Sequence, residues 1–117
     1  MALADKLQIK PGQRVAVLHA PAGVDIGLSG NATAEPAAAD AVLVFVTDRA
    51  GLDDRGDVAV DAARRDALAW VAYPKAGQLG TDLSRDVLAE LLAAHGIRAV
   101  RQISIDEVWS ALRFRPA

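Results

Sequence analysis

"AVLVFV", residues 41–46, decides the fold class of this chain, because every one of its six residues is apolar. Asp40 and Asp48 flank the run. A strand that is apolar at every position is buried on both faces, which is typical of a parallel sheet between layers of helices. Two similar runs, "RVAVLHA" (14–20) and "LAWVAY" (68–73), predict two further buried strands. We therefore expect these three strands to adjoin and to point the same way.

Helical patterns lie between these strands. Residues 49–65 predict a helix, although Gly51 and Gly56 weaken its first half and Asp57 suits the N-cap of the firmer second half. A short helix is also predicted over residues 2–8, before the first strand. Strands that alternate with helices predict right-handed parallel crossovers.

The C-terminal third predicts one more helix and two more strands. The helix covers 83–95, with Thr81 or Asp82 as its N-cap. Its apolar residues recur at helical spacing and form one stripe: Leu83, Val87, Leu88, Leu91 and Leu92. The runs 97–105 and 109–115 are separated by three residues, which predicts an antiparallel hairpin.

The predicted fold class is α/β, with a mostly parallel sheet flanked by helices and a C-terminal antiparallel hairpin. A chain of 117 residues predicts a single domain, 1–117. The Gly-, Ala- and Pro-rich stretch 21–39 predicts a loop, with one short element at most, around residues 24–28.

Composition narrows the function classes. The net charge is −2 and no block of like charge occurs, so binding to nucleic acid is not expected. There are no cysteines, which excludes disulfides and thiolate metal sites. The first residues lack a long apolar run and no run approaches the roughly 20 residues that span a bilayer, so we expect a cytoplasmic protein without membrane contact.

Three stretches and the closing hairpin resemble class I S-adenosylmethionine-dependent methyltransferases. The stretches are "LQIKPGQRVAVLHAP" (7–21), "ADAVLVFV" (39–46) and "ALAWVAYPK" (67–75). The resemblance covers the first strand and the later half of that family's fold, and it implies a Rossmann-like sheet. The family's Gly-rich cofactor turn is absent, because "HAPAGVD" (19–25) holds one glycine. The family's acidic ribose-binding residue has no clear counterpart within 21–39, so we expect no bound cofactor.

The chain also resembles, over nearly its whole length, a small group of bacterial proteins of unknown function. The shared pattern is a Trp, a Pro-Lys pair, an Asp before a helix, and a late Trp-Ser-Ala/Gly-x-Arg. It corresponds here to Trp70, Pro74-Lys75, Asp82, Arg85-Asp86 and Trp109-Ser110-Ala111-Leu112-Arg113. This resemblance implies a fold and no activity.

A ligand site is predicted beyond the carboxyl ends of the parallel strands, where open α/β sheets bind ligands. Loops 19–23, 47–49 and 75–81 are expected to meet there. The third combines a lysine, two glycines that permit close backbone approach, and a helix start with free N–H groups, which suit a phosphate or carboxylate. The candidate ligand-binding residues are His19, Lys75, Gly77, Gly80, Thr81, Asp82 and Arg85. The same residues also suit a capped turn that binds nothing, and His19 suits a structural hydrogen bond as well as a general base.

No motif predicts catalysis or metal binding. The two histidines lie far apart on different elements, so no metal ligands are assigned. "GLSGN" (27–31) lacks the spacing of a nucleophile elbow, and neither a Walker loop nor a G-x-G-x-x-G motif occurs.

The C-terminal hairpin predicts a possible interaction surface, because arginines recur along both strands. The candidate residues are Arg101, Trp109, Arg113 and Arg115, with Arg98 and Phe114 beside them. They suit a contact with a protein or a nucleic acid. Cross-strand pairing of these arginines with Asp106 and Glu107 is the alternative interpretation.

Three functional hypotheses follow, in this order. The first is a non-enzymatic interaction or regulatory module that acts through an unidentified protein partner or as a homodimer. The second is a protein that binds a nucleotide or another small anionic ligand through the loop after the strand at 68–73. The third is a degenerate S-adenosylmethionine-dependent methyltransferase.

Overall fold

The computed structural model describes residues 3–21, 24, 32, 33, 35–75 and 77–117. These residues form four α-helices, six strands and a 3-10 helix at Pro36–Ala38. The α-helices are α1 (Leu3–Lys6), α2 (Arg49–Arg55), α3 (Asp57–Arg64) and α4 (Arg85–Ala93). The strands are β1 (Arg14–Leu18), β2 (Ala32–Thr33), β3 (Ala41–Phe45), β4 (Leu68–Pro74), β5 (Ile97–Ser104) and β6 (Trp109–Pro116).

The fold is α/β with one mixed sheet, in the order β2-β1-β3-β4-β6-β5. Strands β1, β3 and β4 are parallel neighbours, as the apolar runs predict, and Val42 lies between Ala16 and Ala69. The predicted antiparallel hairpin of β5 and β6 is confirmed. Strand β6 also pairs antiparallel with β4, so it lies inside the sheet and β5 forms the edge.

Apolar side chains fill both faces of the sheet because successive residues of a strand point to opposite sides. On the first face, which we call the helix-covered face, strand residues pack against α3 and α4 through Val60, Ala63, Leu88 and Leu92. On the opposite face, the segment after α1 covers the sheet, and the Trp70 indole donates a hydrogen bond to the Leu7 carbonyl at 3.0 Å. All five residues of β3 are buried, which explains the apolar run that predicts it.

Several element boundaries differ from prediction for local reasons. Strand β1 ends at Leu18 because His19 adopts a left-handed backbone with φ of 61°. The helix expected over 49–65 is two helices that meet at Gly56, where an added Cβ would lie 2.6 Å from the Leu52 carbonyl oxygen.

The stretch 21–39 holds two elements that the sequence does not predict. They are β2, which pairs parallel with β1, and the 3-10 helix. Of the short element expected around residues 24–28, all but Val24 lies outside the described residues.

Candidate functional site

A cavity of about 480 Å³ lies beyond the carboxyl end of β4, on the helix-covered face. It is open to solvent, and the end of β4, the start of α4 and the β5–β6 hairpin border it. Its lining residues are Tyr73, Lys75, Ser84, Arg85, Gln102, Ile103, Ser104 and Ser110. Two of these residues are cations and none is a carboxylate, so the lining favours a ligand with negative charge.

Two hydroxyl groups form the buried part of this cavity. Tyr73 of β4 and Ser110 of β6 are directly opposite in the strand register, and both are at least 95% buried, with 2% and 5% exposure. The Tyr73 oxygen accepts a hydrogen bond from the Gln102 amide at 3.1 Å. The Ser110 hydroxyl makes no hydrogen bond with any described residue. Because Ser110 lines the cavity, its hydroxyl can form a hydrogen bond with a ligand there.

Lys75 and Arg85 supply the positive charge. The Lys75 ammonium donates to the Ser104 hydroxyl at 2.8 Å, which holds it at the cavity wall. The Arg85 guanidinium contacts the Asp86 carboxylate at 3.1 Å, but both side chains are exposed, at 59% and 86%. An ion pair this exposed contributes little, so Arg85 is free to turn toward an anion in the cavity.

The first turn of α4 adds backbone donors to the same wall. Ser84 is the N-cap, and its hydroxyl accepts the N–H of Val87 at 3.3 Å. The N–H groups of Arg85 and Asp86 have no partner among the described residues. The positive end of the helix dipole reinforces the charge of the two side chains.

Burial raises the pKa of the Tyr73 phenol above its ordinary value. The charge of Arg85 and the hydrogen bond from Gln102 lower the pKa, and the charge of Asp86 raises it, but burial is the largest influence. Tyr73 is therefore a neutral hydroxyl at physiological pH and can donate to an anionic ligand.

The predicted ligand-binding residues separate into two groups. Lys75 and Arg85 line the cavity. Thr81 and Asp82 do not: the Thr81 hydroxyl accepts the N–H of Leu83 at 3.0 Å, and Asp82 accepts the N–H of Arg49 at 2.9 Å. The predicted meeting of loops 47–49 and 75–81 is thus a structural contact, and Ser84, not Thr81 or Asp82, caps α4.

His19, Gly77 and Gly80 also lie outside the cavity lining. The two glycines have φ of 82° and 64°, and a Cβ added to either would meet no atom within 4 Å. Glycine therefore serves the turn conformation at these positions. His19 is exposed after the end of β1.

Sequence reasoning missed six lining residues: Tyr73, Ser84, Gln102, Ile103, Ser104 and Ser110. For Gln102 and Ser104, the reason lies in the pairing of β5 with β6. A register shift between Ala99 and Arg101 adds one residue to β5, so Gln102 and Ser104 face the same side as Ala99. One inserted residue reverses the facing of every later side chain, and no local pattern in β5 marks this bulge.

The interaction surface predicted on the C-terminal hairpin differs from expectation at Trp109. Trp109 is 5% exposed and packs edge-on against Phe45, with ring centroids 5.2 Å apart, so it lies in the core. The Asp106 carboxylate accepts the N–H groups of Val108 and Trp109, each at 2.8 Å. Asp106 therefore caps its own turn and does not pair with the hairpin arginines.

No protein-family model matches the chain, and no curated protein matches it closely enough to be informative. In the part of the chain that the structure describes, no three histidine, aspartate or glutamate residues cluster as metal ligands would. The helices within the described ranges are all too short or too polar to cross a bilayer.

Proposed function

We propose that this chain is a ligand-binding α/β domain that holds a small anionic molecule in the cavity beyond β4. The observation that carries the proposal is the lining of this cavity, which presents the cations Lys75 and Arg85 and the Ser110 hydroxyl, and no carboxylate. A concave site with a few convergent polar and charged groups is characteristic of a small-molecule site.

The lining defines the ligand class. A phosphate or carboxylate is held by the Lys75 ammonium, the Arg85 guanidinium and the first N–H groups of α4. A hydroxyl or amide elsewhere on the molecule reaches Ser110, Tyr73 and Gln102. A volume of about 480 Å³ falls within the range of small-molecule sites, so a mononucleotide or a sugar phosphate fits this description.

We further propose that the sheet is Rossmann-like, as the methyltransferase resemblance implies. The pairing supports this, because β6 is antiparallel to both β4 and β5, which gives β5 the direction of β1, β3 and β4. A degenerate methyltransferase remains the third hypothesis. It predicts heat on titration with millimolar S-adenosylmethionine in a calorimeter, and a flat titration would remove it.

The test of the ligand proposal is isothermal titration calorimetry with inorganic phosphate, mononucleotides, sugar phosphates and dicarboxylates. We expect at least one phosphate ester to bind, and Lys75→Ala and Ser110→Ala each to weaken its affinity about tenfold, as loss of one good hydrogen bond predicts. Arg55→Ala removes an exposed cation outside the cavity and is the matched control.

Two results would overturn the ligand proposal. One is no binding across the panel at millimolar concentration. The other is binding that the Lys75 and Ser110 substitutions leave unchanged while Arg55→Ala weakens it, which would indicate general charge attraction rather than the cavity.

A further inference from the structure

Four arginines form a second positively charged surface, on the opposite face of the β5–β6 hairpin. We call this surface the arginine face: Arg98, Arg101, Arg113 and Arg115. Arg98 is directly opposite Arg115 in the strand register, and Arg101 is directly opposite Arg113. Like charges at directly opposed positions of an antiparallel pair destabilise the sheet. The stability of the sheet therefore does not explain why two such arginine pairs occur side by side.

The protein neutralises only part of this charge. Asp66 accepts two hydrogen bonds from Arg115, both at 3.1 Å. The Arg113 guanidinium donates to the neutral side chain of Gln8 at 2.6 Å. Arg98 and Arg101 are exposed and make no hydrogen bond or ion pair with any described residue. Four arginines against one aspartate leave a local charge of +3.

One atom of the arginine face is left unpaired inside the protein. The Arg113 Nε–H is buried and has no hydrogen-bond partner. Burial lowers the pKa of Arg113, the charges of Arg115 and Arg101 lower it further, and the charge of Asp66 raises it. Asp66 is the one negative charge among these influences, and a carboxylate placed on this face would add a second.

We propose that the arginine face docks a short acidic segment, rich in Asp and Glu, of a partner protein. Planar guanidinium groups bind carboxylates through paired hydrogen bonds, and opposed arginines at strand spacing present several such groups to one segment. This proposal does not depend on the ligand in the cavity, because strand alternation places Gln102 and Ser110 on the other side of the hairpin from Arg101 and Arg113.

Three features of this face argue against other occupants. A twofold contact with a second copy would place arginines against arginines. The neighbouring aromatic residues, Trp109 and Phe114, are 5% and 0% exposed, so they offer no surface for nucleic-acid bases to stack on. The bulge at Val100 interrupts β5, and a bulged edge strand resists the addition of a further strand. The docked segment is therefore held by side chains rather than by backbone pairing.

The test is fluorescence anisotropy with a labelled ten-residue glutamate peptide, and with the matching glutamine peptide as the neutral probe. We expect the glutamate peptide to bind and the glutamine peptide not to bind. The double variant Arg98→Glu with Arg101→Glu should weaken binding at least tenfold. The fold should survive these two changes, since neither arginine has a partner among the described residues. The matched control, Arg49→Glu with Arg55→Glu, makes the same charge change on α2 and should alter the affinity less than twofold.

Folding of each variant is verified by far-UV circular dichroism, and the milder pair Arg98→Gln with Arg101→Gln replaces the first variant if it unfolds. Absence of glutamate-peptide binding, or equal losses in the test and control variants, would overturn the proposal. Tighter binding of a single-stranded oligonucleotide at the same salt concentration would also overturn it, in favour of nucleic acid. A dimer in light scattering that the Arg98 and Arg101 substitutions abolish would overturn it in favour of self-association.

Discussion

The Asp82 carboxylate accepts the backbone N–H of Arg49 at 2.9 Å, which fastens the loop after β4 to the N-terminus of α2. This contact places a negative charge where an anion would otherwise enter between the loops after β3 and β4. It also leaves the other side of the same loop, with Lys75, facing the cavity. The loop after β4 is therefore bound to α2 on one side and borders the cavity on the other.

Asp82→Ala should lower the free energy of unfolding by about 1–2 kcal/mol, because the bond to the Arg49 N–H has a charged acceptor and is partly screened by solvent. Urea denaturation measures this change. Asp54→Ala is the control: Asp54 is exposed within α2 and has no hydrogen bond or ion pair with a described residue, so its removal should not destabilise the protein. Equal effects at the two positions would contradict the role given to Asp82.

Ser84→Ala should cost about 1 kcal/mol of unfolding free energy, since Ser84 is the N-cap of α4. Ser84→Gly should cost only a few tenths of a kcal/mol, and Ser84→Asp should retain the cap. Chemical denaturation of the three variants checks the order. If Ser84→Ala instead raised the stability, as alanine does inside a helix, the cap would lie at another residue.

The single tyrosine of the chain permits a direct pH test, because the ultraviolet absorbance of phenolate reports Tyr73 alone. Burial raises its pKa above the ordinary value near 10, so titration should occur at higher pH in the folded protein than in urea. The Arg85 charge lowers this pKa, so Arg85→Gln should raise it further.

The raised pKa of Tyr73 also predicts how the stability of the protein changes at alkaline pH. A phenol whose pKa is raised by folding contributes stability that is full below the unfolded pKa, near 10, and is lost as the pH rises through the folded pKa. Tyr73→Phe should remove this part of the alkaline loss. A folded-state titration at or below the unfolded one would show that the Tyr73 phenol is solvated in the folded protein.

Trp109→Ala should lower the free energy of unfolding by about 3–5 kcal/mol, as removal of a core aromatic residue does. Far-UV circular dichroism in urea measures this without relying on tryptophan fluorescence. Val100→Ala, on the exposed bulge of the same hairpin, is the control and should change the stability by less than about 0.5 kcal/mol. A cost below about 1 kcal/mol for Trp109→Ala would place that ring at the surface, as the sequence first suggests.

Local patterns in the sequence account for most of the elements but only part of the site. The all-apolar run 41–46 predicts a strand buried on both faces, and β3 is such a strand. Lys75 and Arg85 line the cavity, and both are visible in one short stretch as cations near a predicted helix start. Tyr73 and Ser110 were not identified, because each is an ordinary strand residue until the register places them opposite one another.

By itself, the sequence determines the order of the longer helical and strand segments, the parallel central strands and the antiparallel C-terminal pair, because these depend on apolar periodicity and turn residues that lie close together in the chain. Only the tertiary structure decided that β6 inserts between β4 and β5, and that the bulge at Val100 turns Gln102 and Ser104 toward the cavity and Arg101 away from it. The physical reason is that strand pairing is a contact between distant residues, and its two-residue period lets a single inserted residue exchange the two faces.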